Sequence, residues 1–367
     1  MEVILLIVIL VALILVHELG HFIAAKASGM RVDEFGIGYP PRALTLFRKG
    51  ETAYTLNWLP FGGFVKIYGE DMEAAGGPTD GRAFTDKNRF LQAVVLVAGV
   101  LMNLLFAWIL ISGSLAAGTP RALAPDEVAQ AVDAHLVVSD VLPDSPAARA
   151  GLVEGDEVLR AITARGTFTK SDPEAFTGFV SSDDAGAPIT FDLVRAGKEV
   201  VISAVPEAGV VASDPSRRAL GVAVAVVGTV PVPLWQAPIL GAEYTWQIVQ
   251  ATAIGLAHFF ASILTFSADL SQISGPVGIA GAVGTAAGTG IASLITLTAI
   301  ISINLALINL IPVPALDGGR LLFVIIESIT RRRIPSGVAN TVNTVGFALL
   351  ILLMVVVTAH DVWKLVV

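Results

Sequence analysis

The chain has 367 residues, a net charge of −8 and no cysteine, and 54% of its residues are hydrophobic against 15% charged. Soluble domains carry about 25% charged residues, and the mean hydropathy here is +0.75. The composition therefore predicts a polytopic membrane protein with some soluble mass. The negative charge argues against nucleic-acid binding. The lack of cysteine excludes disulfides, iron–sulfur clusters and thiolate metal ligands.

The first apolar stretch predicts a transmembrane helix over about 3–25, and it contains the sequence "VHELGHFIAA". A cleaved signal peptide is the alternative interpretation, because "AKAS" at 25–28 resembles a cleavage site. Against it, the chain begins with Glu2 where a signal peptide has a basic segment, and a His-Glu pair interrupts the apolar run.

His17 and His21 are four residues apart, which places both on one face of a helix, about one turn from each other. Two imidazoles at this spacing can bind one Zn²⁺, with Glu18 beside the water that the metal activates. Charged groups inside a membrane span cost about 2.5–3.5 kcal/mol each on insertion scales. A metal site therefore explains this cluster better than chance or histidines bonded only to neighbouring helices.

Apolar runs and turn signals divide the rest of the chain. The predicted fold is a polytopic α-helical membrane protein with about four transmembrane helices, a membrane-associated β-hairpin and an inserted α+β domain. After the first helix, the predicted elements are a hairpin over about 52–69, spans over about 90–115, 292–316 and 338–358, and a packed or interfacial helix over about 233–267. The glycine-rich stretch at 274–290 is unlike an ordinary exposed helix.

Three domains follow from this pattern. They are the first half of a membrane core (1–117), a soluble domain (120–228, with its own core over about 122–210) and the second half of the membrane core (229–367). Nine Lys/Arg lie in 26–89 and three at 331–333, whereas 120–247 has 17 acidic against nine basic residues. Basic loops face the cytoplasm, so both chain ends and the soluble domain are predicted outside.

A catalytic zinc needs a third protein ligand. His135, His258 and His360 are candidates, but none lies in a second motif. Asp317 in "LIPVPALDGGR" is favoured because it ends an otherwise uncharged apolar run beside helix-breaking residues. Non-helical backbone at membrane depth is tolerated only where it is buried or lines a cavity. Counting from the outer ends of their spans, His17 and Asp317 both fall in the cytoplasmic half of the membrane. A plain helix exit is the simpler alternative for this stretch.

"HELGH" in the first span together with "NLIPVPALDGG" in a late one resembles the site-2 protease family of intramembrane zinc metalloproteases. "NWLPFGGFVKI" resembles the membrane-dipping hairpin of that family, and "SGPVGIA" its glycine-proline stretch. The resemblance covers essentially the whole chain. It implies one Zn²⁺ per chain, with His17, His21 and Asp317 as ligands and Glu18 as the general base. It also implies that a further set of residues binds the substrate. These are Asn309, Pro312, Pro314, Gly62, Gly63 and Phe64.

"VVSDVLPDSPAARAGLVEGDEVLRAI" in the soluble domain resembles a PDZ domain of the bacterial protease type. Ser145-Pro146 predicts the start of a short helix, Gly151 its end, and 173–181 a groove helix. Such a groove accepts an extended peptide by strand addition. A β-domain that acts only as a plug or spacer is the alternative.

These resemblances imply a bacterial inner-membrane endopeptidase that cuts the transmembrane segments of single-span membrane proteins after a first extracytoplasmic cut. Its substrates would be proteins such as anti-sigma factors, or remnant signal peptides. Its partners would then be those substrates, the lipid bilayer and a peptide in the PDZ groove. A catalytically inactive scaffold and a zinc or proton-coupled transporter are the rival functions. The intact residue set speaks against the scaffold, and the lack of paired broken helices in two repeated halves speaks against the transporter.

Overall fold

The computed structural model describes residues 1–70, 81–182, 187–195, 197–211, 214–265 and 275–366. The chain forms two compact units. The first combines residues 1–113 with 237–367, and the second comprises residues 114–236. The last two positions of the helix predicted over 233–267, residues 266 and 267, lie outside the described residues, as does residue 274 of the glycine-rich stretch.

Long helices dominate the first unit. In chain order they are α1 (Glu2–Ala27), α2 (Arg89–Ala116), α5 (Ala237–Leu264), α6 (Pro276–Thr289), α7 (Ile291–Leu310), α8 (Asp317–Thr330) and α9 (Ser336–Val366). Among the described residues four helices are long and apolar enough to cross a membrane: Glu2–Ala27, Arg89–Ala116, Ile291–Leu310 and Gly337–Trp363. The prediction of four apolar helices is confirmed. Large apolar side chains on α9, such as Phe347 and Leu352, point outward, as lipid-facing side chains do.

The third span is shorter than the sequence predicts. Within the segment predicted over about 292–316, α7 ends at Leu310, the helix-breaking residues follow, and a new helix, α8, begins at Asp317. Ile311 has the extended backbone that a following proline favours, and Ala315 has a positive φ of 73°. The chain therefore turns sharply between α7 and α8.

The β-structure of the first unit is larger than a hairpin over 52–69. β1 (Val32–Lys49) and β2 (Thr52–Ile67) form one antiparallel sheet. Residues 32–37 pair with 53–56 on one side and with 63–67 on the other. The prediction that the two strands pair within 52–69 is wrong, because a distant segment lies between them. Local composition indicates strands but not which segments become neighbours.

The glycine-rich stretch forms the helix α6. Pro276 stands in its first turn, where its missing N–H costs nothing, and the Asp361 carboxylate accepts a hydrogen bond of 2.9 Å from the Gly278 N–H. Ala280 and Val283 are buried on one face and belong to a cluster with Leu6 and Leu13 of α1. Small side chains let α6 lie close to α1, and this packing outweighs the low helix propensity of glycine.

In its described residues, the second unit forms a seven-stranded sheet and two short α-helices. Its elements are β3 (Arg121–Ala122), β4 (Val132–Val141), α3 (Pro146–Ala150), β5 (Glu157–Thr163), β6 (Gly166–Phe168), α4 (Pro173–Ser181), β7 (Ile189–Arg195), β8 (Lys198–Ala204) and β9 (Val222–Thr229). The strand order is β3-β9-β4-β5-β7-β8, with β6 paired to β5. A buried apolar core includes Leu136, Phe176 and Phe191. The second unit is therefore a sheet domain whose sequence is inserted between the two halves of the first, helical unit.

Candidate metal centre

Helix α1 presents His17 and His21 one turn apart on the same face, and both side chains are buried. Their rings stand nearly perpendicular, at 81°, with centroids 4.7 Å apart. The two Nε2 atoms lie 3.1 Å from each other. The spacing of four residues thus brings two nitrogen atoms to one point, as helical geometry requires.

The carboxylate of Asp317 completes the cluster. Its Oδ2 lies 2.8 Å from His17 Nε2 and 3.1 Å from His21 Nε2. Within the described ranges, His17, His21 and Asp317 form the group of at least three His, Asp or Glu residues whose ligand atoms all lie within 4.8 Å of one another.

The arrangement fits zinc. Tetrahedral zinc with bonds of about 2.0–2.1 Å to nitrogen and oxygen holds its ligand atoms roughly 3.3 Å apart. The observed separations of 2.8–3.1 Å are within a few tenths of an ångström of that value. Two imidazoles and one carboxylate are also a ligand set of catalytic zinc sites, which leave a further position for water.

The turn between α7 and α8 delivers Asp317 to this point. The Ala315 N–H donates a hydrogen bond of 3.3 Å to Asn343 Oδ1 on α9. A methyl group at Gly318 would collide with the carbonyl oxygens of Leu310 and Ile311, so the turn closes tightly only with glycine there. Asp317 is the first residue of α8 and is therefore fixed by both the turn and the helix.

Helix α2 lines the other side of the two imidazoles. The Val95 carbonyl lies 2.8 Å from His21 Nδ1, and the Asn103 amide lies 3.3 Å from His17 Nδ1. A Cβ atom on Gly99 would lie 2.5 Å from His21 Nε2 and 2.8 Å from His17 Nε2. Sequence reasoning missed these three residues. Asn103 had a usable signal, since it is an amide in the middle of an apolar span.

Glu18 follows His17 on α1 and is only partly exposed. It interacts with the backbone N–H of Val65 in the last segment of β2. A Cβ atom on Gly63 would lie 3.8 Å from Glu18 Cγ. The carboxylate therefore sits where α1, the sheet edge and the histidine pair come together.

The other residues of the predicted site lie in two places. Asn309 is in the last turn of α7, and Pro312 and Pro314 are in the turn that follows. Gly62 and Gly63 are buried, and a Cβ atom on either would meet α1 side chains. A Cβ atom on Gly36 would meet the Phe64 ring. These contacts show that Gly62 and Gly63 allow β2 to lie close to α1. Their contact with a substrate stays a prediction.

The three alternative ligand candidates lie elsewhere. His135 is in β4 of the second unit, His258 is in α5 and His360 is in α9. None of them belongs to the group that could hold a metal ion in the part of the chain that the structure describes. Asp317 is the candidate that the structure brings to His17 and His21.

Comparison with known proteins agrees with this geometry. The family described as Peptidase family M50 matches residues 5–353. A provisionally named zinc metalloprotease of Clostridium perfringens is 35% identical over 353 residues, covering 96% of this chain and 95% of that protein. The zinc metalloprotease RasP of Geobacillus kaustophilus is 30% identical over 440 aligned residues, covering 98% and 97%. The chain therefore belongs to peptidase family M50, the site-2 protease family of zinc metalloproteases.

Proposed function

We propose that the protein is a zinc-dependent intramembrane endopeptidase that cleaves the transmembrane segments of single-span membrane proteins. The observation that carries the proposal is the convergence of His17 Nε2, His21 Nε2 and Asp317 Oδ2, with Glu18 next to His17. Since α1 is one of the four helices apolar enough to cross a membrane, chemistry at this point acts on peptide bonds at membrane depth.

His17, His21 and Asp317 would hold one zinc ion, which would act as a Lewis acid toward a water molecule and a substrate carbonyl. Glu18 takes a proton from the attacking water onto its carboxylate. It then donates that proton to the leaving nitrogen as the C–N bond breaks. One water is consumed, and a carboxylic acid and an amine are formed. Asn309, from the end of α7, orients the substrate carbonyl through its amide.

A substrate helix must unwind first, because its carbonyls are engaged in i→i−4 hydrogen bonds. Residues 63–67 pair on one side only among the described strands, and Val65 of this segment interacts with Glu18. An unwound substrate can therefore add as a strand along this edge. Gly62, Gly63 and Phe64 would shape the edge, and Pro312 and Pro314 would line the facing turn.

Lys and Arg are denser in 26–89 and at 331–333 than in the acidic stretch 120–247, which supports a cytoplasmic location for the first two segments. The relatives compared above are bacterial proteins, which supports the bacterial inner membrane as the location. The second unit then lies outside, and the active site lies in the cytoplasmic half of the membrane. We assign a PDZ-like fold to the second unit. Support comes from its helix α3, capped by Ser145 and ended by Gly151 with φ 88°, and from α4 over Pro173–Ser181.

A domain outside the membrane cannot contribute to chemistry on the cytoplasmic side, so its role is to select substrates. The substrates that fit are single-span proteins already shortened on the extracytoplasmic side, such as anti-sigma factors, or remnant signal peptides. A bulky outer domain on a substrate would collide with the PDZ-like unit, whereas a trimmed one would pass. The groove beside α4 would accept a peptide by strand addition.

The test uses the full chain in liposomes with a single-span peptide labelled at both ends. Glu18→Gln keeps the side-chain shape but removes the base, so cleavage should fall at least ~10²-fold while zinc is retained. Glu2→Gln on the same helix is the matched control and should cleave normally. Near-normal cleavage by Glu18→Gln would exclude Glu18 as the base.

A further inference from the structure

Asn103 is a buried polar residue that the proposed reaction does not use. It lies on α2 with none of its surface exposed. The structure places its Nδ2 3.3 Å from His17 Nδ1. Its Oδ1 is buried without a hydrogen-bond partner among the described residues. A buried amide whose one contact is a ring nitrogen of His17 needs an explanation, because leaving a buried polar atom unpaired destabilises the folded protein.

The chemistry of the His17 ring determines which of the two groups donates the hydrogen bond and which accepts it. His17 Nε2 is the atom that faces His21 Nε2 and Asp317 Oδ2. An imidazole that binds a metal through Nε2 must carry its hydrogen on Nδ1. The group opposite Nδ1 must therefore be an acceptor. An amide satisfies this by turning its oxygen toward the ring, and rotation about the terminal side-chain bond exchanges the oxygen and nitrogen with little change in shape.

We infer that Asn103 is a positioning residue that accepts a hydrogen bond from His17 Nδ1–H and so holds His17 in its metal-binding tautomer and orientation. The inference rests on the proposed function, since it assumes that His17 Nε2 faces a metal. Metal-binding histidines commonly donate their second ring N–H to such an acceptor, and losing the acceptor typically lowers metal affinity 10–100-fold.

The other histidine is held in the same way by the same helix. The His21 Nδ1 lies 2.8 Å from the Val95 carbonyl, which can only accept. Val95, Gly99 and Asn103 follow each other at intervals of four residues, which is one stripe along α2. The stripe supplies one acceptor for each imidazole and, at Gly99, the space for both rings.

A third helix fixes Asn103 itself. Ser302 of α7 is fully buried, and its hydroxyl donates a hydrogen bond of 2.8 Å to the Asn103 backbone carbonyl. The backbone of α2 is therefore anchored at the residue whose side chain contacts His17. A positioning role needs such an anchor, because a side chain can hold a ring in place only if its own backbone is held.

Three variants of the full-length protein test the inference through zinc affinity, measured in detergent by competition with a chromophoric chelator. Asn103→Leu keeps the shape and removes the acceptor, so zinc should bind 10–100-fold more weakly. Asn103→Asp can only accept, so its zinc affinity should equal or exceed that of the wild type. Gln92→Leu is the matched control: Gln92 is also buried on α2, and it hydrogen-bonds the Phe84 and Lys87 carbonyls away from the histidines.

Two outcomes overturn the inference. The first is a zinc affinity of Asn103→Leu equal to that of the wild type. The second is a zinc affinity that falls as far in Asn103→Asp as in Asn103→Leu, because that result is expected if the Asn103 amide acts as a donor. If Asn103→Leu does not fold, Asn103→Ala replaces it in the same comparison. A wild-type protein that binds no zinc contradicts the proposed function instead, so the two failures can be told apart.

Discussion

Gly99→Ala should damage the metal centre without breaking the helix that carries it. The added Cβ would stand 2.5 Å from His21 Nε2 and 2.8 Å from His17 Nε2. Ordinary van der Waals contact begins at 3.4 Å, so the rings must retreat by about 0.9 Å and 0.6 Å. Alanine favours a helix over glycine by about 1 kcal/mol, and the helix itself should therefore persist.

A shift of about 1 Å in a catalytic group costs roughly 10²-fold in rate. We expect zinc affinity to fall at least 10-fold and cleavage of a single-span peptide at least 10²-fold in Gly99→Ala. The assays are chelator competition for zinc and fragment analysis by mass spectrometry. Gly113→Ala on the same helix is the matched control, because a Cβ there meets nothing within 4 Å. Wild-type zinc binding and cleavage in Gly99→Ala would refute the close approach of α2 to the imidazoles.

Three further predictions concern the rest of the molecule. Asp317→Ala should lower zinc content while leaving the protein folded, as elemental analysis of the purified variant would show; unchanged zinc would remove Asp317 from the ligand set. Deleting 122–210 with a short linker should preserve cleavage of a trimmed substrate and permit cleavage of an untrimmed one; if the deletion folds, keeps zinc and still rejects the untrimmed substrate, gating is wrong. Arg89→Met should destabilise the protein by about 3 kcal/mol, because Glu327 is buried and its Oε2 lies 2.6 Å from Arg89 Nη2. The melting temperature should recover in Arg89→Met/Glu327→Gln, and a single variant as stable as the wild type would contradict a buried ion pair.

The metal cluster was predictable where a short spacing carries the chemistry. Two histidines four residues apart within an apolar run indicate one helix face and one metal. Asp317 stands out because it ends an apolar run beside helix-breaking residues, at a membrane depth where ionisable groups are rare. The structure brings these three side chains within hydrogen-bonding distance, although Asp317 is 300 residues from His17.

The rest depended on long-range packing that local patterns do not encode. Gly99 is one of two glycines in α2, and only the approach of the α1 histidines shows that a larger residue would not fit there. The pairing of residues 32–37 with 63–67 joins segments that no local pattern links. The helix α6 forms despite its glycines because it buries one face against α1. In contrast, α3 begins after Ser145 and ends at Gly151, as predicted, because capping is a local property.

Zinc content per chain tests the central claim most directly. We expect elemental analysis of the purified full-length protein to give about one zinc per chain, and the double variant His17→Ala/His21→Ala to lose it while remaining folded. Full zinc occupancy in that double variant would contradict the account, because the metal would then be held by residues other than the cluster on α1 and α8.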